Sequence, residues 1–343
     1  MSEAKSFSIK ALLARHETVL LLVIAIEVVL FSVLGRRFTD GSNVANIFRH
    51  SVEIGLLALA MTPVILTGGI DLSVGSMMGL CAVCFGILVK EASLSPMAAG
   101  LIAVGIGAVG GGVNAFLIAR LKLPPLIVTL GTFSLFRGLA EALTKGSKSY
   151  SGFPDSFLAL GNSSVAGLPA QVWIFLLVAI GIYLLVHHTT FGRSFRAIGY
   201  SPEGSRYAGL PVGRNVSLAY VLAGAVAGLA AVIFVARLGE ARANAGIGYE
   251  LLAITAVVLG GTSIFGGSGT VSGTLLGYVV VAVLGNGLKR ITDLQLFDRP
   301  ISNISGELSG MLTGLLLIVA LAVTPLARIL ATRRSRKQAT LKP

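Results

Sequence analysis

Long uncharged stretches recur along this chain of 343 residues, and they constrain its fold more than any other feature. The hydrocarbon core of a bilayer is about 30 Å thick, which an α-helix crosses in about 20 apolar residues. Ten stretches approach that length: 18–34, 52–67, 72–89, 97–119, 126–143, 171–187, 216–236, 250–264, 270–288 and 306–324. The pattern predicts an all-α polytopic membrane protein with about ten transmembrane helices, some short and interrupted by glycine.

Composition excludes the common soluble classes. Only 12% of the residues are charged and 54% are hydrophobic, whereas soluble domains carry roughly 25% charged residues. The two cysteines, Cys81 and Cys84, are too few for a disulfide framework. They lie inside an apolar stretch, so we interpret them as small helix residues rather than as a metal or redox site. A cytosolic enzyme, a disordered chain and a secreted disulfide scaffold are therefore excluded.

The distribution of Lys and Arg predicts the orientation. With the N-terminus inside, the inner segments are 1–17, 120–125, 188–215 and 325–343, and they hold 15 Lys and Arg against 11 in the outer segments. Because basic loops stay cytoplasmic, we predict that the N- and C-termini are cytoplasmic. The chain then divides into an N-terminal segment 1–17, a transmembrane domain 18–324 and a basic tail 325–343. Cytoplasmic loops account for the net charge of +12 without nucleic acid.

Nucleotide-binding and hydrolytic motifs are absent from the sequence. There is no G-x-x-x-x-G-K-[ST], H-E-x-x-H or G-x-S-x-G. One G-x-G-x-x-G, at Gly105, Gly107 and Gly110, lies in an apolar stretch with no strand before it, so it indicates close helix packing. The pairs Gly224/Gly228 and Gly273/Gly277 are interpreted in the same way. We therefore expect no enzymatic activity, no cofactor and no metal.

Two glycine-rich segments interrupt the apolar pattern in a related way. They read GGIDLSVGS at 68–76 and GGTSIFGGSG at 260–269, and an offset of 192 superposes Gly68 and Gly69 on Gly260 and Gly261. Backbone that leaves a helix at membrane depth is tolerated only inside the protein or along a wet cavity. Paired interruptions of this kind point to the binding site in secondary transporters. By extension, these four glycines are predicted to border a transport pathway.

Polar residues near the breaks are further candidates for the pathway. We interpret Asp71 as the N-cap of a helix that begins at Leu72, a role compatible with gating. Arg137 and Glu141 are four residues apart in one stretch, so they share a helix face and are predicted to pair. The candidate pathway residues are Asp71, Ser73, Asn114, Thr129, Thr132, Arg137 and Glu141. Glu27 is another ionisable residue in a predicted span, with no evident partner in its own helix.

The longest inner loop, 188–215, carries the signals of a short helix. Ser201 can cap it, Pro202 suits its first position, Glu203 suits its first turn, and Gly209 suits its C-terminal cap. We therefore predict a helix over 202–208 at the cytoplasmic face. On these residues alone, it serves either as a surface connector or as the docking site of a soluble partner.

Four segments resemble those of ribose-type sugar permeases, the membrane subunits of bacterial ATP-binding cassette (ABC) importers. They are GGIDLSVGS at 68–76, PPLIVTLGT at 124–132, the loop from Gly192 to Gly209, and AITAVVLGGTSIFGGSG at 253–269. They occur in the family's order, and the likeness extends from about residue 40 to 320. The segment 289–305, with Asp293, Asp298 and Arg299, departs from the family's pattern.

The resemblance implies partners as well as a function. Such permeases work in the inner membrane by alternating access, as homodimers or heterodimers, with two cytoplasmic ATPase subunits and a periplasmic sugar-binding protein. It also implies that the 192–209 loop receives the ATPase. The candidate coupling residues are Arg193, Glu203, Arg206, Tyr207 and Gly209. Members similar to this chain carry ribose, other pentoses, rhamnose or the autoinducer-2 signal.

Three alternatives stay open at this level. An ion-coupled secondary transporter would need ionisable groups along its pathway, and Glu27, Asp71, Arg137 and Glu141 could serve. A membrane scaffold would have no pathway of its own. A branched-chain amino acid permease would keep the ABC class and change the cargo.

Overall fold

The computed structural model describes residues 16–291, together with 294–296, 299–301, Met311, Gly314, Leu315 and Ile318. The helices are α1 His16–Leu34, α2 Gly41–Arg49, α3 Val52–Leu66, α4 Val74–Lys90, α5 Pro96–Ala115, α6 Pro125–Leu143, α7 Asp155–Asn162, α8 Ala170–His188, α9 Thr190–Tyr200, α10 Pro202–Tyr207, α11 Val212–Leu238, α12 Tyr249–Leu259 and α13 Val271–Arg290. A π-helical turn, Phe116–Arg120, extends α5.

Three short antiparallel pairs of strands accompany the helices. Strand β1 (Tyr150–Ser151) pairs with β4 (Glu240–Ala241), β2 (Ser164–Val165) with β3 (Leu168–Pro169), and β5 (Leu294–Leu296) with β6 (Arg299–Ile301). All six strands fall in segments predicted to be outer loops. The loops at that end therefore have secondary structure of their own.

Among the described residues, six helices are long and apolar enough to cross a membrane: α1, α5 with its π-helical turn, α6, α8, α11 and α13. Helices α2 and α3 make a seventh if this pair, bent by 47°, counts as one span. Helices α4 and α12 are apolar but shorter, at 17 and 11 residues. Each predicted stretch between 18 and 288 thus contains a helix. The stretch 306–324 lies almost wholly outside the described residues, so ten spans stay a prediction.

Helices α3 and α11 form the centre of the bundle. Every residue of α3 except Ile54 is buried, whereas α1 and α6 expose many of their leucines and valines. A helix that is apolar all round belongs in the interior, and exposed apolar side chains on the outer helices suit contact with lipid. The pattern of burial is that of a membrane bundle with a central pair of helices.

Backbone contact holds α5 against α11. Gly107 and Gly224 face each other, and a Cβ atom on either would collide with the carbonyl oxygen of the other. Gly111 and Gly228 likewise face carbonyl oxygens of the opposite helix. We call this contact the glycine seam. It confirms the packing role predicted for Gly107 and Gly224, whereas a Cβ atom at Gly105 would have none of the other described helices within 4 Å.

Other small residues also take the predicted structural roles. Gly273 and Gly277 of α13 pack against backbone oxygens at the end of α12. Cys81 and Cys84 are free thiols on α4. The described residues contain no group of three or more His, Cys, Asp or Glu that could hold a metal ion.

The loops sort into two ends. At one end, the His16 ring nitrogen Nε2 lies 2.7 Å from the carbonyl oxygen of Leu259, so the start of α1 lies beside the end of α12. At the opposite end, Lys148 pairs with Glu91, and β1 pairs with β4. We call these the inner and outer ends, after the predicted orientation. Which end faces the cytoplasm stays a prediction.

Candidate functional site

The first break, residues 67–73, separates α3 from α4 and is held by Asp71. Its Oδ1 atom accepts hydrogen bonds from the backbone N–H (2.9 Å) and the hydroxyl (2.6 Å) of Ser73. Helix α4 begins at Val74, with Ser73 at the N-cap position. The prediction that Asp71 caps a helix beginning at Leu72 is therefore wrong. Asp71 instead closes an Asx turn just before the helix, as aspartate side chains often do.

The first break and helices α5 and α6 bring five of the predicted polar residues together. Asn114 of α5 donates from Nδ2 to the Ser73 hydroxyl at 2.8 Å, and Thr132 of α6 donates to Asn114 Oδ1 at 2.7 Å. Thr129 donates to the carbonyl oxygen of Ile70 at 3.2 Å. The polar cluster, as we call it, consists of Asp71, Ser73, Asn114, Thr129 and Thr132, all buried. The hydrogen bonds from Thr132 through Asn114 and Ser73 to Asp71 all run in one direction. Hydrogen bonds in such a chain strengthen one another.

The second break, residues 260–270, separates α12 from α13, and glycine residues form its turns. Gly261, Gly266 and Gly267 have φ angles of +87°, +85° and +81°, which side chains rarely tolerate. Thr270 ends the break, because its hydroxyl accepts a hydrogen bond from the Gly273 N–H at 3.0 Å and caps α13. No carboxylate of the described residues takes part, in contrast with the first break.

The two breaks touch each other and the inner loop. Gly267 N–H donates to the carbonyl oxygen of Leu66 at 3.0 Å, and Gly266 packs against the backbone of Gly68. Gly199, near the end of α9, lies so close to Leu66 and Gly267 that a Cβ atom would collide with both backbones. We call Leu66, Gly68, Gly199, Gly266 and Gly267 the glycine junction. It joins the inner loop directly to both breaks.

The four glycines predicted to border a pathway have different surroundings. Gly68 lies in the glycine junction, and Gly69 faces the hydroxyl of Tyr220 on α11. Gly260 packs against α13, and Gly261 lies against His16. The structure therefore brings the first pair to a cavity, described next, and the second pair to helix contacts.

A cavity of about 370 Å³ lies beneath the first break, at the inner end. Gly68, Gly69 and Tyr220 line one side, and Pro202 and Arg206 of α10 line another. The Tyr220 hydroxyl is buried and has no hydrogen-bond partner in the described part of the chain. Small-molecule sites occupy roughly 300–1,000 Å³, so this cavity is large enough for one. Sequence analysis did not single out Tyr220.

The inner loop contains the predicted short helix. Helix α10 covers Pro202–Tyr207, the Ser201 hydroxyl accepts a hydrogen bond from the Gly204 N–H at 3.0 Å, and Gly209 follows with a φ angle of +77°. The cap residues are therefore confirmed. The five candidate coupling residues, Arg193, Glu203, Arg206, Tyr207 and Gly209, are all exposed at the inner end. They form a surface that a partner could contact.

Arg137 does not pair with Glu141, contrary to prediction. Glu141 is exposed, and the described residues contain no ion pair between the two. Arg137 Nη1 instead donates to the carbonyl oxygens of Ala243 and of Ala245, the latter at 3.2 Å, in the loop between α11 and α12. That loop reaches Arg137 with carbonyl acceptors, whereas Glu141 is exposed.

Two buried carboxylates escaped the sequence analysis. Glu53 binds Arg237 at 2.8 Å (Oε1 to Nε), with side chains only 0% and 9% exposed. Glu250 accepts a hydrogen bond from the Gly248 N–H at 3.2 Å, and its Oε2 atom is buried without a partner. Both residues fall inside predicted spans, 52–67 and 250–264. The rule that singled out Glu27, which is also buried, would have found them.

Comparisons with known proteins cover most of the chain. A family model described as branched-chain amino acid transport system / permease component matches residues 43–321. The autoinducer 2 import system permease protein LsrD of Photorhabdus luminescens is 36% identical over 310 residues, 89% of each chain. The proteins of that name from Escherichia coli strain K12 and Shigella flexneri are 37% identical over 308 residues, 88% of this chain and 90% of theirs. No solved structure matches.

These matches agree with the four ordered motifs. They favour an ABC permease over the ion-coupled transporter and the scaffold, because the relatives are permease subunits of an import system. Apolar helices and relatives together indicate a multi-pass protein of the bacterial inner membrane. The chain therefore belongs to the family of ribose-type ABC importer permeases, the membrane subunits that carry a sugar or sugar-like molecule inward.

Proposed function

We propose that this chain imports autoinducer-2 or a closely similar small hydroxylated molecule. The observation that carries the proposal is the identity of 36–37%, over almost nine-tenths of both chains, to permeases of autoinducer 2 import systems. The matching family model is described by branched-chain amino acid transport, but the relatives favour a sugar-like cargo. A periplasmic binding protein delivers the cargo, and two cytoplasmic ATPase subunits supply the energy.

The same proposal includes ten spans, cytoplasmic termini and a second permease subunit. The contact of His16 with Leu259 supports the cytoplasmic N-terminus, because the N-terminal helix then starts at the end that carries the inner loop. A dimer, of two copies or of this chain with a related subunit, completes the pathway and offers one inner loop to each ATPase.

In this proposal the ATPase docks on α10. Glu203, Arg206 and Tyr207 are exposed there, and Tyr207 is 92% exposed. Such exposure of a large aromatic residue supports a surface that a partner covers. When the ATPase closes, α9 and α10 move together. Because Gly199 contacts both breaks in the glycine junction, the movement is transmitted to α3, α4, α12 and α13 without an intermediate element.

The cavity under the first break serves as the inward-facing exit. Tyr220 lines it with an unpaired hydroxyl, and Arg206 of the docking helix lines it from the other side. Above it, the polar cluster fixes the first break to α5 and α6. Opening and closing of the exit thus accompany the movement of α10, as alternating access requires.

The test is uptake into proteoliposomes that contain the permease with its ATPase and binding protein. We expect saturable uptake of autoinducer-2, with ribose and rhamnose as weaker cargos, that requires ATP inside and persists with an uncoupler. Uptake of leucine alone would contradict the cargo. Uptake abolished by the uncoupler at constant ATP would contradict the ABC mechanism.

Charge reversal at Arg206 tests the docking site. We expect Arg206→Glu to lower uptake at least ten-fold while the basal ATP hydrolysis of the complex persists, because one buried interfacial charge contact typically contributes more than 1.4 kcal/mol. Arg214→Glu, at the same end but on α11, is the matched control and should retain uptake. Normal uptake by the Arg206 variant, at normal expression, would count against docking on α10.

A further inference from the structure

Two charged side chains inside the bundle have atoms with no hydrogen-bond partner among the residues that the structure describes. Arg137 lies near the middle of α6, and Glu250 is in the first turn of α12. Arg137 Nη2 and Glu250 Oε2 are buried and have no hydrogen-bond partner, and no ion pair joins the two residues, within the described chain. Buried polar atoms are nearly always satisfied in native proteins. A donor and an acceptor left over side by side therefore indicate a ligand.

Two glycines on one face of α4 lie against these side chains. A Cβ atom at Gly75 would collide with Glu250 Oε2, and one at Gly79 would lie 2.7 Å from Arg137 Nη1. Residues four apart on a helix have Cβ positions about 5–6 Å apart. The carboxylate and the guanidinium therefore lie over successive turns of the same face, where the two glycines leave room for them. We call Gly75, Gly79, Arg137 and Glu250 the glycine groove.

The loop between α11 and α12 holds both charged side chains in position. The N–H of Gly248 donates to Glu250 Oε1, and the carbonyls of Ala243 and Ala245 accept from Arg137 Nη1. This loop turns into the bundle at Gly246 and Gly248, with φ angles of +73° and +80°. One oxygen of Glu250 and one nitrogen of Arg137 are thus committed to the loop. The other oxygen and nitrogen are preorganised as an acceptor and a donor.

The groove also lies at the starts of two short helices. The short helix α12 begins only after the loop has entered the bundle, and α4 begins at the first break. Sites at the ends of discontinuous helices near the midplane are typical of secondary transporters. Ionisable groups inside a membrane bundle mark substrate pathways in general. Gly75 also lies two residues after Ser73, so the groove adjoins the polar cluster.

We propose that the glycine groove binds the cargo through the hydroxyl and carbonyl oxygen atoms of the cargo. Glu250 Oε2 accepts a hydrogen bond from one hydroxyl, and Arg137 Nη2 donates to a neighbouring hydroxyl or carbonyl oxygen. The ligand class is a small neutral molecule with adjacent oxygen atoms. An amino acid zwitterion fits less well, because carboxylates favour a bidentate guanidinium, and the loop carbonyls already occupy Nη1.

This inference rests on the proposed function, and its test separates the two. The assay measures KM and kcat for uptake of autoinducer-2 and ribose by the reconstituted complex, together with its ATP hydrolysis. We expect Glu250→Gln and Arg137→Lys each to raise KM about ten- to a hundred-fold, the usual range for a lost charged hydrogen bond, with ATP hydrolysis unchanged. Glu141→Gln, an exposed carboxylate on α6, is the matched control and should behave as wild type.

Deoxy analogues of the cargo distinguish contact from a structural role. If a ribose hydroxyl binds Glu250, the analogue that lacks it should have a raised KM with the wild type. With Glu250→Gln, ribose and that analogue should have similar KM values. A variant that only loosens the bundle would keep the wild-type ratio for every analogue.

Each of the other possible results contradicts either the glycine groove or the proposed function. An unchanged KM in both variants, or a loss of kcat and ATP hydrolysis without a change in KM, overturns the groove and leaves the proposed function intact. Wild-type uptake of leucine but of no hydroxylated probe overturns the proposed function and the ligand class together. If Glu250→Gln fails to assemble, Arg137→Lys, which keeps the positive charge, decides by the same readout.

Discussion

The two breaks in the bundle share a glycine signature but are held in different ways. The polar cluster joins the first break to α5 and α6 through side chains. Side chains join the second break and the start of α13 to the inner loop and the end of α8. There, Val271 N–H donates to His187 Nε2 at 3.2 Å, and Arg196 donates to the Gly269 carbonyl at 3.5 Å. The first break is thus anchored in the bundle, whereas the second is attached to the segment proposed to move.

The backbone of the two breaks differs as well. In the sequence alignment at an offset of 192, Gly68 matches Gly260, but Gly68 has a φ of +83° and Gly260 a helical φ of −65°. The left-handed turn of the second break comes one residue later, at Gly261. The two breaks therefore share residue types at matching positions but differ in backbone conformation there. We expect the first break to keep its geometry during transport and the second to change.

The largest effect is expected where the breaks meet. Gly199→Ala would force the inner loop away from Leu66 and Gly267, so we expect at least a ten-fold loss of uptake with ATP hydrolysis retained. Alanine favours a helix over glycine by about 1 kcal/mol, so α9 itself would gain stability. Gly213→Ala is the control, because the nearest atom to its Cβ would be 3.8 Å away. Equal uptake by the two variants would show that the glycine junction transmits nothing.

A stability effect of intermediate size is expected at the anchor of the first break. Asp71→Ala removes the acceptor of two hydrogen bonds and leaves the amide and hydroxyl of Ser73 buried without it. We expect the free energy of unfolding to fall by about 2–3 kcal/mol, as for other buried groups that lose a partner. Chemical unfolding in detergent measures it, with the exposed Asp155→Ala as control. A loss under about 0.5 kcal/mol would contradict the anchoring role.

A smaller effect is expected at the cap of the second break. Thr270→Ala loses one hydroxyl contact to the Gly273 N–H. Removal of an N-cap side chain costs about 1 kcal/mol. The same unfolding assay should therefore rank this variant below Asp71→Ala. The reverse order would mean that the second break, not the first, is the anchored one.

The smallest effect provides a baseline at the outer end, away from both breaks. Hydrogen bonds from Lys148 and Tyr150 hold the pKa of Glu91 below its usual value. A carboxyl with a lowered pKa stabilises the folded state above its unfolded pKa, and this contribution disappears as the pH falls through the lowered value. Glu91→Gln should thus lower the melting temperature slightly at neutral pH and not at acidic pH. High salt should shrink the difference, since the pair is exposed. A pH-independent difference would exclude the ion pair as its cause.

Local patterns predicted much of the fold. Apolar length located a helix in each stretch between 18 and 288, and cap chemistry located α10 from Ser201, Pro202 and Gly209. Small-residue spacing predicted that Gly107 and Gly224 serve close helix packing, although it did not pair them with each other. These succeed because each depends on residues close together in the chain.

Contacts between distant segments were beyond the same reasoning. The residues of the polar cluster were named singly, but no pattern joined Asn114 to Ser73 or Gly199 to the breaks. The pair of Arg137 with Glu141 failed because helix spacing says nothing of a loop more than a hundred residues away. Glu53 and Glu250 lie inside predicted spans, so the expectation that ionisable residues there face the bundle interior applies to them as it does to Glu27.

The glycine seam has a mechanical consequence. Helix α11 has 27 residues, so it is about 40 Å long. It starts directly after the inner loop and ends beside Glu53, which binds Arg237. With the seam fastening α5 along its side, the two helices would move together as one rigid unit. A tilt of about 10° at the inner end displaces the far end by about 7 Å over that length. The largest displacement in the molecule would then occur at the outer end, far from the site of ATP hydrolysis.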